Sequence, residues 1–385
     1  MRGRRADSAH HPDHSLELSE PGYLLLEDGR VFEGICAGAT GVTVGEAVFN
    51  TSMSGYQEVL TDPSYAGQII TMTAPMIGNY GVASADEESR KPQVAGFVMR
   101  ELSKTWSGWR AEDGLDSYLK RHGVVALTEV DTRALTRHIR SRGAMRAVIA
   151  PASLSRGEAE ARIAAHPRME GLDLTGAVST PSPYVMPAVG EERFHVLAYD
   201  FGVKRHSQLL LAERGCRVTT LPRDTTAEEI LEQAPDGLFI SNGPGDPDAV
   251  AHALDAIRRL SERGTPIFGI CLGHQLIGRA FGAETFKLKY GHRGGNHPVR
   301  RMSDGAVEIT AQNHGFAVRG GPDGDVPGAP ALRVSHVNLN DSTIEGLEHR
   351  ELPVFCVQYH PEAAPGPHDS RYLFDKFIEL MGRGA

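Results

Sequence analysis

The second half of the chain alternates short apolar runs with amphipathic segments, and this pattern restricts the fold more than any other feature does. The apolar runs are HVLAYD, CRVTTLP, GLFISNG and PIFGI, and each is followed within a few residues by a segment with helical spacing of its apolar positions. Such alternation is typical of a parallel sheet, because each helix carries the chain back to the start of the next strand. The later segments FKLKYG, AVEITAQN, ALRVSHVN and PVFCVQY predict further strands, partly antiparallel, before a closing helix RYLFDKFIELM. We therefore predict an α/β domain with a doubly wound, mostly parallel sheet over residues 194–385.

The first half of the chain has a different pattern, which predicts a smaller α+β domain over residues 23–170. Two apolar runs flank Asp28 and Gly29 in YLLLEDGRVFEG, which is a strong hairpin signal. AVFNT and QIITMT predict further strands, and GLDSYLKRHGVVALTEVDTRALTRHIRSRG predicts two helices around a strand. Residues 171–193 contain three prolines and several small residues, so we predict a linker there. Residues 1–22 lack the apolar core of a secretory signal and predict a disordered leader.

Composition excludes several classes of protein. No run approaches the roughly 20 apolar residues that a membrane span needs, so we expect no membrane-spanning segment. The net charge of −9 is spread along the chain without a basic stripe, so we expect small molecules or proteins as partners and no nucleic acid. The four cysteines lie far apart without a CxxC or Cys/His pairing, which argues against a disulfide framework and a zinc site and indicates a reducing cytoplasm. They are Cys36, Cys216, Cys271 and Cys356.

Cys271 stands in a local pattern that differs from those of the other three cysteines. The segment Gly269-Ile270-Cys271-Leu272-Gly273 has the G-x-nucleophile-x-G form and joins a predicted strand to a predicted helix. We expect the glycines to permit a sharp turn that lifts the side chain out of the sheet, and the helix N-terminus to favour a thiolate. The alternative is a buried core thiol, which we predict for the other three cysteines because they lie in apolar, strand-like surroundings. Cys271 is therefore a candidate nucleophile that needs a base.

His360 is the preferred candidate for that base. It follows the predicted strand VFCVQY and precedes Glu362 by two residues, so both side chains are expected at the edge where parallel strands end. A neutral imidazole there would take the thiol proton and later protonate the leaving group, while the carboxylate would fix its tautomer. His314 in QNHGF is the rival base, but it lies among turn residues without a carboxylate nearby in sequence, which favours a structural role.

A glycine-rich loop follows another predicted strand of the second domain. The loop SNGPGDP comes directly after GLFI, but it lacks the Lys-Ser/Thr of a P-loop and the spacing of a dinucleotide fingerprint. Its backbone N–H groups suit the negative charge that grows on a carbonyl oxygen under attack. The loop is therefore a candidate oxyanion hole.

Three separated motifs carry a resemblance to a known family. NGPGDP, GICLGHQ and HPE occur in this order on one α/β domain and resemble those of class I glutamine amidotransferases, whose domain is flavodoxin-like. AYDFGVKR, GHRGGNHPV, ITAQNHGFAV and QYHPEAAPGPHDS look like the small, glutaminase chain of carbamoyl-phosphate synthetase. In the first domain LEDGRVFEG, GEAVFNTSMSGYQEVLTDPSY and VDTRALTRHIR match the N-terminal domain of that chain, so the resemblance runs from about residue 23 to the C-terminus.

The resemblance implies a role for individual residues. Cys271 would attack the side-chain amide carbon of L-glutamine, His360 would act as base and then as acid, and Glu362 would orient it. The oxyanion hole would be formed by the backbone at Gly243 and Leu272. The other residues implied in glutamine binding are Ser64 of the first domain, Gly245, Gln275, Asn313, Gly315 and Phe316.

The resemblance also implies a partner and a pathway. A large chain would bind ATP, Mg and bicarbonate, receive ammonia and make carbamoyl phosphate for arginine and pyrimidine biosynthesis, whereas this chain would hold no cofactor or metal. The first domain would dock to the large chain in a heterodimer or a higher oligomer of heterodimers. The alternatives are a glutaminase subunit of another synthetase, such as that for anthranilate or guanylate, an inactive assembly module, and a cysteine hydrolase acting on peptides or esters.

Overall fold

The computed structural model of the protein describes residues 20–321 and 324–383. The predicted leader, residues 1–22, lies outside the described residues except for its last three. The first strand begins at Pro21, two residues before the predicted start of the domain. None of the helices in the described ranges combines the length and the apolar character that crossing a bilayer requires.

The N-terminal part is built on a closed seven-stranded sheet. The strands of this part of the chain are β1 (Pro21–Leu26), β2 (Val31–Gly38), β3 (Thr43–Asn50), β4 (Gln68–Met72), β5 (Met76–Ile77), β6 (Gly96–Val98), β7 (Glu101–Leu102), β8 (Val125–Thr128) and β9 (Met145–Pro151). Its helices are α1 (Tyr56–Thr61), α2 (Leu115–Arg121), α3 (Thr132–Arg142) and α4 (Arg156–Ala165), with 3₁₀ turns at Pro63–Tyr65 and Ser84–Asp86. The order around the barrel is β1-β2-β8-β6-β4-β3-β9, and β9 closes it on β1. Strands β5 and β7 form a separate parallel pair.

The elements predicted for this domain are present, including the hairpin β1–β2 and the succession α2–β8–α3. Side chains at alternate strand positions, such as Leu24, Ile69 and Leu127, pack into one apolar cluster. The opposite faces of the strands pack against helices, as Val148 does against Ile163 of α4. This α+β unit therefore uses both faces of its sheet.

The remaining elements form the C-terminal part. The helices are α5 (Thr175–Val178), α6 (Arg205–Ala212), α7 (Ala227–Glu232), α8 (Ala253–Glu262), α9 (Leu272–Ala280) and α10 (Tyr372–Gly382), with a 3₁₀ turn at Pro247–Val250. The strands are β10 (Tyr184–Met186), β11 (Phe194–Asp200), β12 (Cys216–Pro222), β13 (Gly237–Ile240), β14 (Ile267–Ile270), β15 (Thr285–Arg301), β16 (Val307–Val318), β17 (Leu332–Asn338), β18 (Ile344–His349) and β19 (Val354–Val357).

These strands form one ten-stranded sheet in the order β10-β12-β11-β13-β14-β19-β18-β17-β15-β16. The five strands from β12 to β19 are parallel, and their order is that of flavodoxin-like doubly wound folds. Strands β18, β17, β15 and β16 extend the sheet in antiparallel fashion. The predicted fold class is confirmed. Strand β18 was not predicted, and the predicted linker contains α5 and the edge strand β10.

Direct contacts join the barrel to the sheet. Lys287 of β15 forms an ion pair with Glu46 of β3. The rings of Phe49 and Tyr290 stack with their centroids 5.8 Å apart. The hydroxyl of Thr51 lies 3.1 Å from the carbonyl oxygen of Arg293. This boundary runs beside the edge of the sheet at which the parallel strands end.

Candidate active site

Cys271 occupies a strained turn between β14 and α9. It is buried, and its φ of 55° and ψ of −103° fall in a region that side-chain-bearing residues rarely adopt. The flanking glycines do not themselves adopt the unusual backbone conformation, because neither Gly269 nor Gly273 has a positive φ. The glycines are required by close packing instead. A Cβ atom at Gly273 would lie 2.3 Å from the carbonyl oxygen of Ile240, and one at Gly269 would lie 2.6 Å from Cδ1 of Ile277.

His360 and Glu362 form a buried pair beside Cys271. The Nδ1 atom of His360 lies 2.7 Å from Oε1 of Glu362. Burial and Lys204 lower the pKa of His360, but Glu362 and the Cys271 side chain outweigh them and raise it to about 10. The imidazole is therefore held in its protonated form, where we predicted a neutral one, and the reason is the ionised carboxylate behind it. The Nε2 atom has no partner of good hydrogen-bond geometry within the described ranges, which leaves it available to a reacting group.

Lys204 and Asp62 complete this charge arrangement, and the sequence analysis did not identify them. The Nζ atom of Lys204 lies 3.1 Å from Oε1 of Glu362 and 3.3 Å from Oδ2 of Asp62. Burial lowers the pKa of Lys204, but the two carboxylates reverse this and raise it. Burial raises the pKa of Glu362, whereas Lys204 and His360 lower it to about 2. Two features of the sequence could have pointed to these residues. Lys204 comes just after β11, and Asp62 belongs to DPSY, two residues before Ser64.

The loop after β13 lies against the start of α9. A Cβ atom on Gly243 would be 2.3 Å from the carbonyl oxygen of Phe201 and 2.8 Å from Cδ2 of Leu272, so only glycine allows this approach. Gly245 has a φ of +93°, and a Cβ atom there would meet the carbonyl oxygen of Leu172 at 2.6 Å. The loop can therefore present its backbone beside Cys271, while Gly245 faces the chain segment that precedes β10.

The first domain reaches this loop through Ser64. The side-chain amide of Asn242 donates a hydrogen bond to Oγ of Ser64 at 2.9 Å, and both residues are buried. Asp62 accepts hydrogen bonds from the Ser64 backbone N–H at 2.9 Å and from the Asn313 side chain at 2.9 Å. Residues from the barrel thus form part of the wall around the thiol.

Strand β16 supplies the opposite wall. The sulfur of Cys271 lies 3.5 Å from the carbonyl oxygen of Asn313. Gln275 donates from its side-chain amide to the carbonyl oxygen of Phe316 at 2.8 Å and to Gln358 at 3.1 Å. Gly315 leaves open space, because only one atom lies within 4 Å of the position that a Cβ atom would take. The structure therefore brings predicted residues from the ends of β13, β14 and β19 and from within β16 to one region, whereas the contacts of Gly245 are with Leu172 and Leu174.

A cavity of about 520 Å³ opens beside this region at the boundary between the barrel and the sheet. His360, Lys204, Asp62 and Asn313 line one side of it, and residues 363–367 line another. Cys271 does not line the cavity, but its sulfur lies 3.5 Å from the carbonyl oxygen of Asn313, which does. The cavity is thus bordered by the base and by a neighbour of the thiol.

Two further histidines that lie near the site are fixed in other contacts. Nδ1 of His274 is 3.2 Å from the sulfur of Cys356, and burial lowers the pKa of His274 to about 3. Both ring nitrogens of His314 already lie within hydrogen-bond distance of oxygen atoms, at 2.7 Å and 3.0 Å. Burial lowers the pKa of His314 well below its usual value. These contacts favour structural roles for both residues.

One buried group in the described ranges has donor atoms close enough to hold a metal ion. The donor atoms of His292, His314 and Glu345 lie within 4.8 Å of one another. His292 is hydrogen-bonded to Asp341 at 2.8 Å, and Glu345 accepts a hydrogen bond from Asn338 at 2.8 Å. His292 and Glu345 are therefore already hydrogen-bonded within the protein, which leaves fewer of their lone pairs for a metal ion.

Comparison with known proteins agrees with this geometry. Residues 197–380 match the family model described as glutamine amidotransferase class-I. The sheet, the elbow and the Cys–His–Glu arrangement thus belong to a class I glutamine amidotransferase domain. Residues 24–149 match a second model, described as the CPSase domain of the carbamoyl-phosphate synthase small chain.

Relatives cover nearly the whole chain. The carbamoyl phosphate synthase small chain of Synechococcus sp. is 50% identical over 378 residues, which is 95% of this chain and 95% of that protein. Those of Chlorobaculum tepidum and Streptomyces coelicolor are each 51% identical over 365 residues, covering 94% of this chain and 98% and 96% of theirs. The chain belongs to the family of carbamoyl phosphate synthase small chains.

Proposed function

We propose that the chain hydrolyses L-glutamine to L-glutamate and ammonia through a γ-glutamyl thioester on Cys271, and that a large partner chain uses the ammonia to make carbamoyl phosphate. The observation that carries this proposal is the buried His360–Glu362 pair, at 2.7 Å, beside a cysteine held in a strained strand–helix turn. This arrangement combines a nucleophile, a proton carrier and an orienting group.

The charge state of the pair supports a definite order of steps. Because the pKa of His360 is raised to about 10, the imidazolium is present before the reaction begins, and we propose that it faces the Cys271 thiolate, which is the nucleophilic form of a thiol. The sulfur of Cys271 then attacks the amide carbon, and the C=O electron pair moves to the oxygen, which the N–H groups of Gly243 and Leu272 would stabilise. As the tetrahedral intermediate collapses, the C–N bond breaks, His360 protonates the nitrogen, and ammonia leaves.

The second half of the reaction reverses the roles. A water molecule attacks the thioester carbon while the now neutral His360 takes one of its protons. The C–S bond breaks, glutamate leaves, and the thiolate–imidazolium pair is restored. Glu362 keeps Nδ1 of the ring protonated in both halves, and Lys204 holds the carboxylate oxygen in place at 3.1 Å.

The remaining predicted residues would hold glutamine in the attack position. We assign Ser64, Gln275, Asn313 and the backbone of β16 at Gly315 to substrate contacts, with Gly245 and Phe316 shaping the site. Their supporting evidence is that strand β16, the loop after β13 and the first domain all converge on Cys271.

We further propose that residues 23–170 dock to the large chain, with residues 171–193 as the connection to the amidotransferase domain, 194–385. The match of residues 24–149 to a domain described for carbamoyl-phosphate synthase small chains supports this and argues against a glutaminase for anthranilate or guanylate synthesis. ATP and Mg would bind to the large chain, in a heterodimer or a higher oligomer of heterodimers. All four cysteines are free, which supports a reducing compartment such as the cytoplasm, where the product would serve arginine and pyrimidine synthesis.

The test is to assemble Cys271→Ser with the large chain and to measure carbamoyl phosphate formed from glutamine and from free ammonia. We expect glutamine-dependent synthesis to disappear and ammonia-dependent synthesis to persist, because only the first uses the thiol. Cys36→Ser, which alters a half-buried thiol in the barrel, is the matched control and should retain both activities.

Three outcomes would count against the proposal. Loss of both activities in Cys271→Ser would contradict the division of labour, and a wild-type complex that releases no glutamate would indicate an inactive assembly module. Turnover of peptides or esters that is indifferent to the large chain would favour a cysteine hydrolase instead.

A further inference from the structure

Three buried residues from different strands of the C-terminal sheet turn donor atoms toward one point. His292 of β15 stands opposite His314 in the β15–β16 ladder, and Glu345 lies in β18. The donor atoms of the three residues lie within 4.8 Å of one another, and Oε1 of Glu345 is 3.5 Å from Nδ1 of His292. Glu345 is 0% exposed, and a buried carboxylate is costly without a compensating positive charge. The cluster therefore favours a cation.

Hydrogen bonds on the outer side of the two histidines determine which ring atoms face inward. Nε2 of His292 lies 2.8 Å from Oδ2 of Asp341, and Nδ1 of His314 lies 2.7 Å from the carbonyl oxygen of Phe316. A neutral imidazole has one N–H, and each ring can donate it to these oxygens, so the other nitrogen presents a lone pair to the cluster. Nδ1 of His292 is buried without a hydrogen-bond partner in the described ranges. Metal-ligating histidines are held by carboxylates and carbonyl oxygens in this way.

The contact between His314 and Gln312 gives independent evidence for a missing cation. Nε2 of His314 lies 3.0 Å from Oε1 of Gln312, so a nitrogen lone pair faces an oxygen that can only accept. Burial lowers the pKa of His314 well below its usual value, so a second proton on the ring does not relieve this repulsion. Turning the Gln312 amide over would place its oxygen against Glu345, to which its NH₂ group now donates at 3.0 Å. A cation among these atoms would satisfy all of them.

We propose that His292, His314 and Glu345 bind a Zn²⁺ ion through Nδ1, Nε2 and Oε1. Two imidazole nitrogens and a carboxylate oxygen suit Zn²⁺, which takes four ligands, and Oε1 of Gln312 borders the fourth position. Asn338 donates to Oε1 of Glu345 at 2.8 Å and would orient the carboxylate, as Asp341 orients His292.

The ion would have a structural role. It would fix β18 to β15 and β16, from which β17 separates it in the sheet. Strand β16 also carries Asn313, whose carbonyl oxygen lies 3.5 Å from the sulfur of Cys271, so the ion would stiffen one wall around the thiol. The resemblance implied no metal in this chain, and the inference departs from that expectation. It goes beyond the proposed glutaminase function and does not depend on it.

The test is a calorimetric titration with ZnCl₂ of the full-length chain, freed of metal with a chelator and then dialysed. We expect wild type to bind one Zn²⁺ ion tightly, and Glu345→Gln not to bind it at concentrations that saturate wild type. Asp341→Asn removes only the outer partner of His292 and should weaken binding about 10–100-fold. Glu348→Gln is the matched control, because Glu348 lies on the same strand but pairs with Arg333. It should bind Zn²⁺ as wild type does.

Thermal unfolding provides a second measurement. Zn²⁺ should raise the Tm of wild type, because an ion that binds the folded chain stabilises it by mass action. The rise should be absent in Glu345→Gln and present in Cys271→Ser, which lacks the catalytic thiol as a competing ligand. Cooperative unfolding in chelator reports that each variant folds, and Asp341→Asn keeps the test decisive if Glu345→Gln does not. Because a proton and an ion on Nδ1 of His292 exclude each other, all variants are compared at one pH.

Three results would overturn the inference. A wild-type chain that takes up no Zn²⁺ would contradict it directly. Equal binding by wild type, Asp341→Asn and Glu345→Gln would indicate an adventitious ion only, held by exposed side chains. Binding that disappears in Cys271→Ser would place the ion at the catalytic thiol. Each of these results leaves the glutaminase function standing, since that function is measured without added metal.

Discussion

The side-chain amide of Asn313 donates a hydrogen bond to Oδ2 of Asp62 at 2.9 Å, although the two residues are 251 positions apart in the chain. Asp62 ends helix α1 of the barrel, whereas Asn313 lies in β16 of the ten-stranded sheet. The same carboxylate oxygen lies 3.3 Å from Lys204, which contacts Glu362. The charge arrangement behind His360 is therefore shared by the two halves of the chain.

Replacing Lys204 by methionine should destabilise the protein, because two buried carboxylates would lose their common counter-charge. We expect the free energy of unfolding in urea to fall by about 3–5 kcal/mol, as for other broken buried ion pairs. Lys104→Met, at an exposed position, should change it by less than about 0.5 kcal/mol. Similar unfolding curves for the two variants would show that Lys204 does not hold this network together.

Glu362→Gln should change the pH dependence of glutamine hydrolysis. Glu362 raises the pKa of His360, whereas burial and Lys204 lower it, so the pKa must fall when the carboxylate is neutralised. The imidazolium that protonates ammonia would then be lost at lower pH, and the alkaline limb of the kcat/KM profile should move down from about 10. If wild type and Glu362→Gln had the same alkaline limb, Glu362 would not be the group that raises the pKa of His360.

Gly273→Ala should be strongly destabilising. The added Cβ atom would lie 2.3 Å from a backbone oxygen of Ile240, which cannot move without distorting β13. We expect a loss of at least about 3 kcal/mol in the free energy of unfolding. Gly157→Ala is the control: the glycine lies in α4 with no neighbour within 4 Å of its Cβ position, so alanine should stabilise the protein by up to about 1 kcal/mol. Equal effects would show that the elbow is less tightly packed than described.

His292 should make stability depend on pH in a predictable direction. Burial lowers its pKa, but Asp341 and Glu345 outweigh this and raise it to about 9 from an unfolded value of 6.5. A raised pKa gives stability that is fully present below pH 6.5 and is lost as pH rises through 9. The difference in unfolding free energy between wild type and His292→Asn should therefore shrink by about 2–3 kcal/mol across this window. In Asp341→Asn the unfolding free energy should depend less on pH, because one of the two carboxylates that raise the pKa of His292 is gone. If the difference in unfolding free energy between wild type and His292→Asn instead grew with pH, the raised pKa of His292 would be contradicted.

Local patterns in the sequence were sufficient to predict the parallel sheet and to select the catalytic candidates. The β14–Cys271–α9 unit and the pair His360 and Glu362 each lie within a few residues of a strong strand or helix signal. Because parallel strands end at one edge, their proximity in space followed from the fold class.

The sequence did not predict features that depend on contacts between residues far apart in the chain. The closure of the barrel between β1 and β9 leaves no local trace in either strand. Lys204 and Asp62 are charged residues at the ends of elements, where solvent exposure is the usual outcome, and only the docking of the two halves buries them. Strand β10 was hidden by the prolines around it, because an edge strand tolerates proline nearby.

In the proposed reaction, Cys271 is the nucleophile that attacks glutamine. The most direct test uses a glutamine analogue with a diazoketone in place of the amide, which alkylates an attacking thiolate with loss of N₂, followed by mass spectrometry of the peptides. We predict label on Cys271, slower labelling in the presence of L-glutamine, and none in Cys271→Ser. Label on a different residue, or labelling of Cys271 at the same rate with and without glutamine, would contradict the assignment.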